Sequence, residues 1–148
     1  MRRLTWLTAY FLFAAVVAFA QNDEAAMPAV PAMSINDLML TIITPATNTL
    51  WGIEDPQTAE DWKVFIDAAD VVIEAGQSMK LGGTGPNDQE WAEESAWQSW
   101  SDAIIAAGRD ARQAAVDRDI EAMYTAGEVL YPPCEECHNQ FHPGVAGQ

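Results

Sequence analysis

The residues with the most specific chemistry lie near the C-terminus, in the run Cys134-Glu135-Glu136-Cys137-His138. Two thiols separated by two residues can add across the two vinyl groups of a haem, because this spacer matches the distance between those groups. The histidine that follows directly can supply an axial nitrogen to the iron. The C-x-x-C-H spacing therefore predicts one covalently attached haem of the c type.

Two other interpretations of this run were weighed. C-x-x-C also serves thioredoxin-like redox enzymes, but that chemistry belongs to a βαβ context, and the chain has no strand pattern. Zinc needs four ligands, and the only cysteine or histidine outside the run is His142. The haem interpretation is favoured over both.

The N-terminus predicts export. Residues 1–3 form a short basic region, residues 4–17 are apolar, and Ala18-Phe19-Ala20 is typical of a cleavage site before Gln21. Haem is attached to such thiols outside the cytoplasmic membrane, so signal and motif agree. We expect residues 1–20 to be removed and the mature protein to be periplasmic. An uncleaved membrane anchor stays open, since the apolar run is almost long enough to span.

Charge narrows the range of partners. The chain has 22 acidic and 7 basic residues. This balance argues against nucleic acid and anionic membrane surfaces as partners, and it permits steering toward a redox partner with a basic surface. The alternative is that the charge only keeps a secreted protein soluble.

Behind a lead-in at residues 21–33, the apolar spacing predicts four helices. Ser34 with Asp37 is expected to cap the first helix, and Pro45 to kink it. Asp55-Pro56 is expected to open the second helix, which ends at the loop 82–86. Asn87 with Glu90 is expected to open the third helix, and Asp117 to cap the fourth.

In the fourth helix the apolar stripe runs on into the haem residues, and Pro132-Pro133 is expected to break the helix before them. The predicted stripe is Ile120, Met123, Tyr124, Gly127, Leu130, Tyr131, Cys134, Cys137, His138 and Phe141. The predicted fold is an all-α, antiparallel four-helix bundle over residues 34–142, with the haem on the C-terminal helix between the helices and a tail at 143–148.

A secreted four-helix chain with C-x-x-C-H at the end of its last helix resembles the class II cytochromes c, the cytochrome c′ and cytochrome c-556 group. Segments 39–51 and 118–131 are similar to a branch of this group. The resemblance implies one haem c per chain, held by Cys134 and Cys137, with His138 as the proximal iron ligand. The predicted function is a one-electron carrier. No enzyme is predicted, because outside the haem residues the sequence shows no acid–base pair, no Ser-His-Asp set and no phosphate-binding glycine loop. A homodimer is left open.

The sixth iron position separates two functions. Met39 lies on the predicted inward face of the first helix, where the resembled family carries its distal methionine, so Met39 is the candidate distal ligand of an electron carrier. Alternatively, Met39, Ile42 and Ile43 serve only as apolar bulk over a five-coordinate haem that binds NO or CO. His142, one turn beyond His138, cannot easily reach the opposite face of the same haem.

Overall fold

The computed structural model describes residues 33–142 and 144. The predicted signal peptide at 1–20, the lead-in up to residue 32 and all of the tail except Gly144 lie outside the described residues. The described part of the chain is all-helical, with five helices and no strand. No helix within it is long and apolar enough to cross a membrane.

The first helix, α1, consists of three consecutive segments: Ile35–Leu38, a π-helical turn at Met39–Ile43, and Thr44–Trp51. The predicted cap is confirmed, since the Ser34 hydroxyl accepts from the Asp37 N–H at 3.0 Å and donates to its carboxylate at 2.7 Å. Both bonds hold the first turn in place.

A π-helical turn lies just before Pro45, the residue at which the sequence predicts a kink. Pro45 has no N–H to offer to the carbonyl of Thr41. Just before it, the Thr44 N–H bonds to the carbonyl of Met39, five residues back instead of four. The turn also shifts the buried face, which jumps from Leu38 to Ile43 and leaves Met39 half-buried.

The second helix, α2, spans Ala59–Lys80, so the predicted start at Asp55-Pro56 is wrong by three residues. Thr58 is the N-cap and forms a reciprocal box with Asp61. The Asp61 carboxylate accepts from the N–H groups of Thr58 at 2.8 Å and Gln57 at 3.0 Å, and these bonds lower its pKa. The box satisfies more backbone donors than Asp55 could, which decides where the helix begins.

The predicted loop 82–86 is confirmed. Gly82 adopts a φ of 80°, a conformation that glycine takes without strain, and its N–H bonds to the carbonyl of Met79 at 3.0 Å. This left-handed residue ends α2 and turns the chain back toward the start of α1.

The predicted third helix is two helices, α3 at Asp88–Glu93 and α4 at Ser95–Asp117, separated by the extended residue Glu94. The expected cap at Asn87 makes no side-chain hydrogen bond. The indoles of Trp91 and Trp97 stack with ring centroids 5.5 Å apart. In an unbroken helix these residues would project on different sides, so the break lets them meet.

The last helix, α5, spans Ile120–Phe141. Asp119 is its cap, with a carboxylate that accepts from the Ala122 N–H at 3.0 Å. The predicted cap, Asp117, is instead the last residue of α4, and Arg118 between them is left-handed, with a φ of 57°. The cap of α5 therefore lies two residues later than predicted.

The predicted break at Pro132-Pro133 is wrong, because α5 runs through both prolines. The prolines deprive the carbonyls of Glu128 and Val129 of their usual helical donors. Both of these residues lie on the exposed side of the helix, where water can donate instead. The C-x-x-C-H run thus belongs to the same helix as the core residues before it.

The core lies where α1, α2, α4 and α5 pack together. The most buried large side chains are Leu38, Leu50, Val72, Met79, Trp97, Met123 and Leu130. Tyr124 and Tyr131 were predicted to face inward but are 48% and 51% exposed. The inward face of α5 is instead centred on small or aliphatic residues, among them Ala126 and Pro133.

Candidate functional site

The last two turns of α5 carry all three residues of the predicted haem motif. Cys137 is buried, 3% exposed, whereas Cys134 and His138 are half-buried. Both thiols are free. Cys137 therefore belongs to the core, whereas Cys134 and His138 lie at its edge and are partly accessible from outside.

Two cavities meet at this motif. The larger one, of about 680 Å³, lies between the start of α1, the residues 85–88 and the end of α5. The smaller one, of about 240 Å³, lies between the middle of α1 and residues 131–138. Four residues line both cavities: Met39, Thr44, Cys137 and His138. The structure thus brings the candidate distal ligand and the candidate proximal ligand to the same two cavities.

The methionines differ in their surroundings. Met39 is half-buried and borders the cavities, whereas Met79 and Met123 are fully buried in the core. The sequence interpretation of Met79 and Met123 as packing residues is confirmed. Met39 packs against the edge of the core, at the residue where the π-helical turn begins. Of these three, only Met39 borders the two cavities at the C-x-x-C-H run.

Burial shapes the protonation of the motif. It raises the pKa of Cys134 to about 11 and, with the nearby Cys134 sulfur adding to the effect, that of Cys137 to about 12. Dithiols of redox enzymes work with a lowered pKa, because the thiolate is the nucleophile. These thiols therefore lack the electrostatic environment of a redox-active pair.

The imidazole of His138 is biased toward its neutral form. Burial lowers its pKa first, and the neighbouring His142 lowers it further. A neutral imidazole is the form that ligates a metal. His142 itself is exposed, follows the last helical residue and borders the larger cavity.

One wall of the larger cavity is aromatic. Phe141 packs edge-on against Trp97 at 5.0 Å and against Trp91 at 5.9 Å between ring centroids. The Trp97 indole N–H donates to the carbonyl of Met79 at 2.7 Å, which fixes the ring against α2. This wall is rigid and apolar, as suits a flat aromatic cofactor.

Sequence reasoning missed several residues of the site. Asp88 and Trp91 border the larger cavity, and Thr47 borders the smaller one. The signal for Asp88 was present in the sequence Gly85-Pro86-Asn87-Asp88, but the cap was assigned to Asn87. Its long-range partners could not be inferred from local spacing.

The donor set fits a haem better than a metal held by protein alone. Within residues 33–142 and 144, no group of three or more His, Cys, Asp or Glu could hold a metal ion. Haem needs fewer side chains, because the macrocycle supplies four ligands, two thiols bind the vinyl groups and one imidazole takes an axial position. Comparison with protein-family models, with curated proteins and with solved structures gives no match.

Proposed function

We propose that this chain is an exported c-type cytochrome of the class II kind, a one-electron carrier with a single haem bound through Cys134 and Cys137. The observation that carries the proposal is the C-x-x-C-H run on the wall of two cavities that Met39 also borders. The raised thiol pKa values count against a redox disulfide. The same site lacks the further ligands of a zinc centre.

Each residue of the site has a role in this proposal. His138 would hold the iron through its neutral imidazole, and Met39 would offer a thioether from α1. When bound, the haem supplies the exchange of one electron between ferric and ferrous iron. Trp91, Trp97 and Phe141 line the larger cavity with apolar rings, which would limit the solvent rearrangement that accompanies a change of charge.

The methionine and the local carboxylates act in opposite directions on the reduction potential. A soft thioether favours ferrous iron and raises the potential. Glu135 and Glu136, next to the attachment site, favour the more positive ferric state. We propose that the methionine dominates, because it binds the iron directly whereas Glu136 is exposed and screened by water.

The proposed arrangement is an antiparallel four-helix bundle of α1, α2, α4 and α5, with α3 as part of a connection. The short turn between α4 and α5 at residues 118–119 supports an antiparallel pair. The proposed location is the periplasm, after cleavage at Ala20. The acidic surface suits a redox partner with a basic surface and opposes nucleic acid. Homodimer formation stays open.

Mass spectrometry of the exported protein tests haem attachment. The full chain is expressed in a host that attaches haem c, and the product should be residues 21–148 plus one haem that resists acid-acetone extraction. His138→Ala should keep the covalent haem but change its spin state. The matched control His142→Ala should leave the spectrum unchanged. A haem that is extracted by acid acetone, or equal spectra for the two histidine variants, would refute the proposal.

Carbon monoxide separates the electron carrier from the gas-binding alternative. In the proposed form the ferrous protein is low-spin and binds CO weakly, because Met39 occupies the sixth position. Ready CO binding by a high-spin wild-type protein would instead establish the five-coordinate alternative, with Met39, Ile42 and Ile43 as bulk.

A further inference from the structure

Asp88 is the only acidic or basic side chain that is buried among the described residues, with 3% of its surface exposed. It lies at the first position of α3, far in sequence from the haem motif. A buried carboxylate is costly unless hydrogen bonds compensate it. Its hydrogen bonds therefore indicate what it does.

The carboxylate joins two parts of the chain that are distant in sequence. Its Oδ2 atom accepts from the N–H of Ile35 at 2.8 Å and from the N–H of Gly85 at 2.7 Å. Ile35 is the first residue of α1, so Asp88 satisfies one of the free donors at that helix end. A second link runs alongside, from the Thr84 N–H to the carbonyl of Met33 at 3.1 Å.

Two glycines make this contact sterically feasible. A Cβ atom on Gly83 would lie 2.5 Å from the Asp88 carboxylate and 2.7 Å from the carbonyl of Met33. A Cβ on Gly85 would lie 2.7 Å from both carboxylate oxygens. The glycine-rich loop thus leaves room for the Asp88 carboxylate. This explains why glycine occurs at positions 83 and 85, where the sequence alone indicated only a loop.

The tethered turn leads directly to Met39. Ile35 and Met39 are about one helical turn apart, and Asp88, Ile35, Met39 and His138 all border the larger cavity. The π-helical turn that begins at Met39 interrupts the regular α-helical bonding to the rest of α1. The position of the turn before Met39 therefore depends on the tether to the loop as well as on the helix behind it.

We propose that Asp88 is a positioning residue, whose carboxylate holds the first turn of α1 against the glycine loop and thereby keeps Met39 over the site opposite His138. This inference rests on the proposed haem site. Asp88 does not touch the reacting atoms; it acts through the backbone of Ile35. Its loss should free Met39 from the iron without removing the haem.

The test compares Asp88→Ala and Asp88→Asn with the control Ser34→Ala in the holoprotein. Alanine removes both accepted hydrogen bonds, so we expect a partly high-spin ferric spectrum and a CO affinity at least about tenfold higher, equal to about 1.4 kcal/mol. Asparagine keeps an acceptor oxygen and should stay within about threefold of wild type. Ser34→Ala weakens the same helix end without releasing the loop, so its melting temperature should fall while its spectrum stays at wild type.

The outcomes distinguish this inference from the proposed function. A wild-type spectrum for Asp88→Ala, or an equal spectral change in Ser34→Ala, would overturn the positioning role and leave the cytochrome proposal standing. A wild type that is already high-spin overturns the role of Met39, and this inference with it, but not haem attachment.

Amide hydrogen exchange gives a readout that is independent of the spectrum. Asp88→Ala should speed exchange at Thr84 and Gly85, and Ser34→Ala should not. Unchanged exchange in this loop would overturn the tether itself, whether or not the chain holds a haem.

Discussion

Replacing Met39 with leucine tests directly the proposal that Met39 is the distal iron ligand. Leucine has nearly the volume of methionine, and Met39 is only half-buried, so the substitution should cost less than about 1.5 kcal/mol of the free energy of unfolding. The substitution removes the thioether sulfur, which is the atom proposed to bind the iron. Any large spectral change would therefore report the lost iron bond and not lost packing.

The size of the change in reduction potential follows from the difference between the affinities of the Met39 thioether for ferrous and for ferric iron. If the thioether binds ferrous iron on the order of a hundredfold more tightly than ferric iron, its loss lowers the potential by about 120 mV, at 59 mV for each factor of ten. The ferric spectrum should turn high-spin, and the ferrous protein should bind CO readily.

Met123→Leu is the matched control for Met39→Leu. Met123 is fully buried, 1% exposed, and borders neither cavity of the haem motif. This control should lose as much stability as Met39→Leu or more, but its potential, spin state and CO affinity should stay at wild type. Redox titration and absorption spectra measure all three. If Met39→Leu and Met123→Leu behave alike, Met39 is not a ligand.

Three further predictions test the helix start, the thiols and the surface. Asp119→Ala should destabilise the protein by about 1 kcal/mol in a urea melt because it removes the cap of α5, whereas Asp117→Ala should have little effect; the reverse order would contradict the observed cap. In the folded haem-free chain, the alkylation rate of Cys134 and Cys137 should be low at pH 8 and rise about tenfold per pH unit up to about pH 11. The reason is that burial raises both pKa values and only the thiolate reacts. A rate that levels off near pH 9 would refute this. The rate of electron transfer from a basic partner should fall steeply with added salt, and a rate that ignores salt would mean that the acidic surface serves solubility alone.

The parts of the fold that depend on local chemistry could be predicted from the sequence. Ser34 caps α1 with its own neighbours, and Gly82 ends α2 because its φ suits a glycine. The inward placement of Cys137 followed from the helical spacing of the stripe before it. In each case the deciding contacts lie within a few residues.

Other parts of the fold depend on competing helix starts or on contacts between residues distant in sequence. These parts could not be predicted from the sequence. Asp55-Pro56 and Thr58-x-x-Asp61 are both plausible helix starts, and the stronger box decides between them. Pro132-Pro133 would break a helix whose freed carbonyls were buried, but here the residues that carry them, Glu128 and Val129, are exposed. Asp88 has partners far away in the chain, so no local pattern indicates its role.

The π-helical turn at Met39–Ile43 amounts to one additional residue in the register of α1. Each residue of an α-helix turns the chain by about 100°. If all residues of the turn were kept but wound as a regular α-helix, Ile35 and Leu38 would rotate by about that angle relative to Leu50. The core would then lose one half of the face of α1 or the other. The additional residue in the π-helical turn thus has two effects. The apolar face of α1 continues past Met39, and Met39 itself stays beside the cavity.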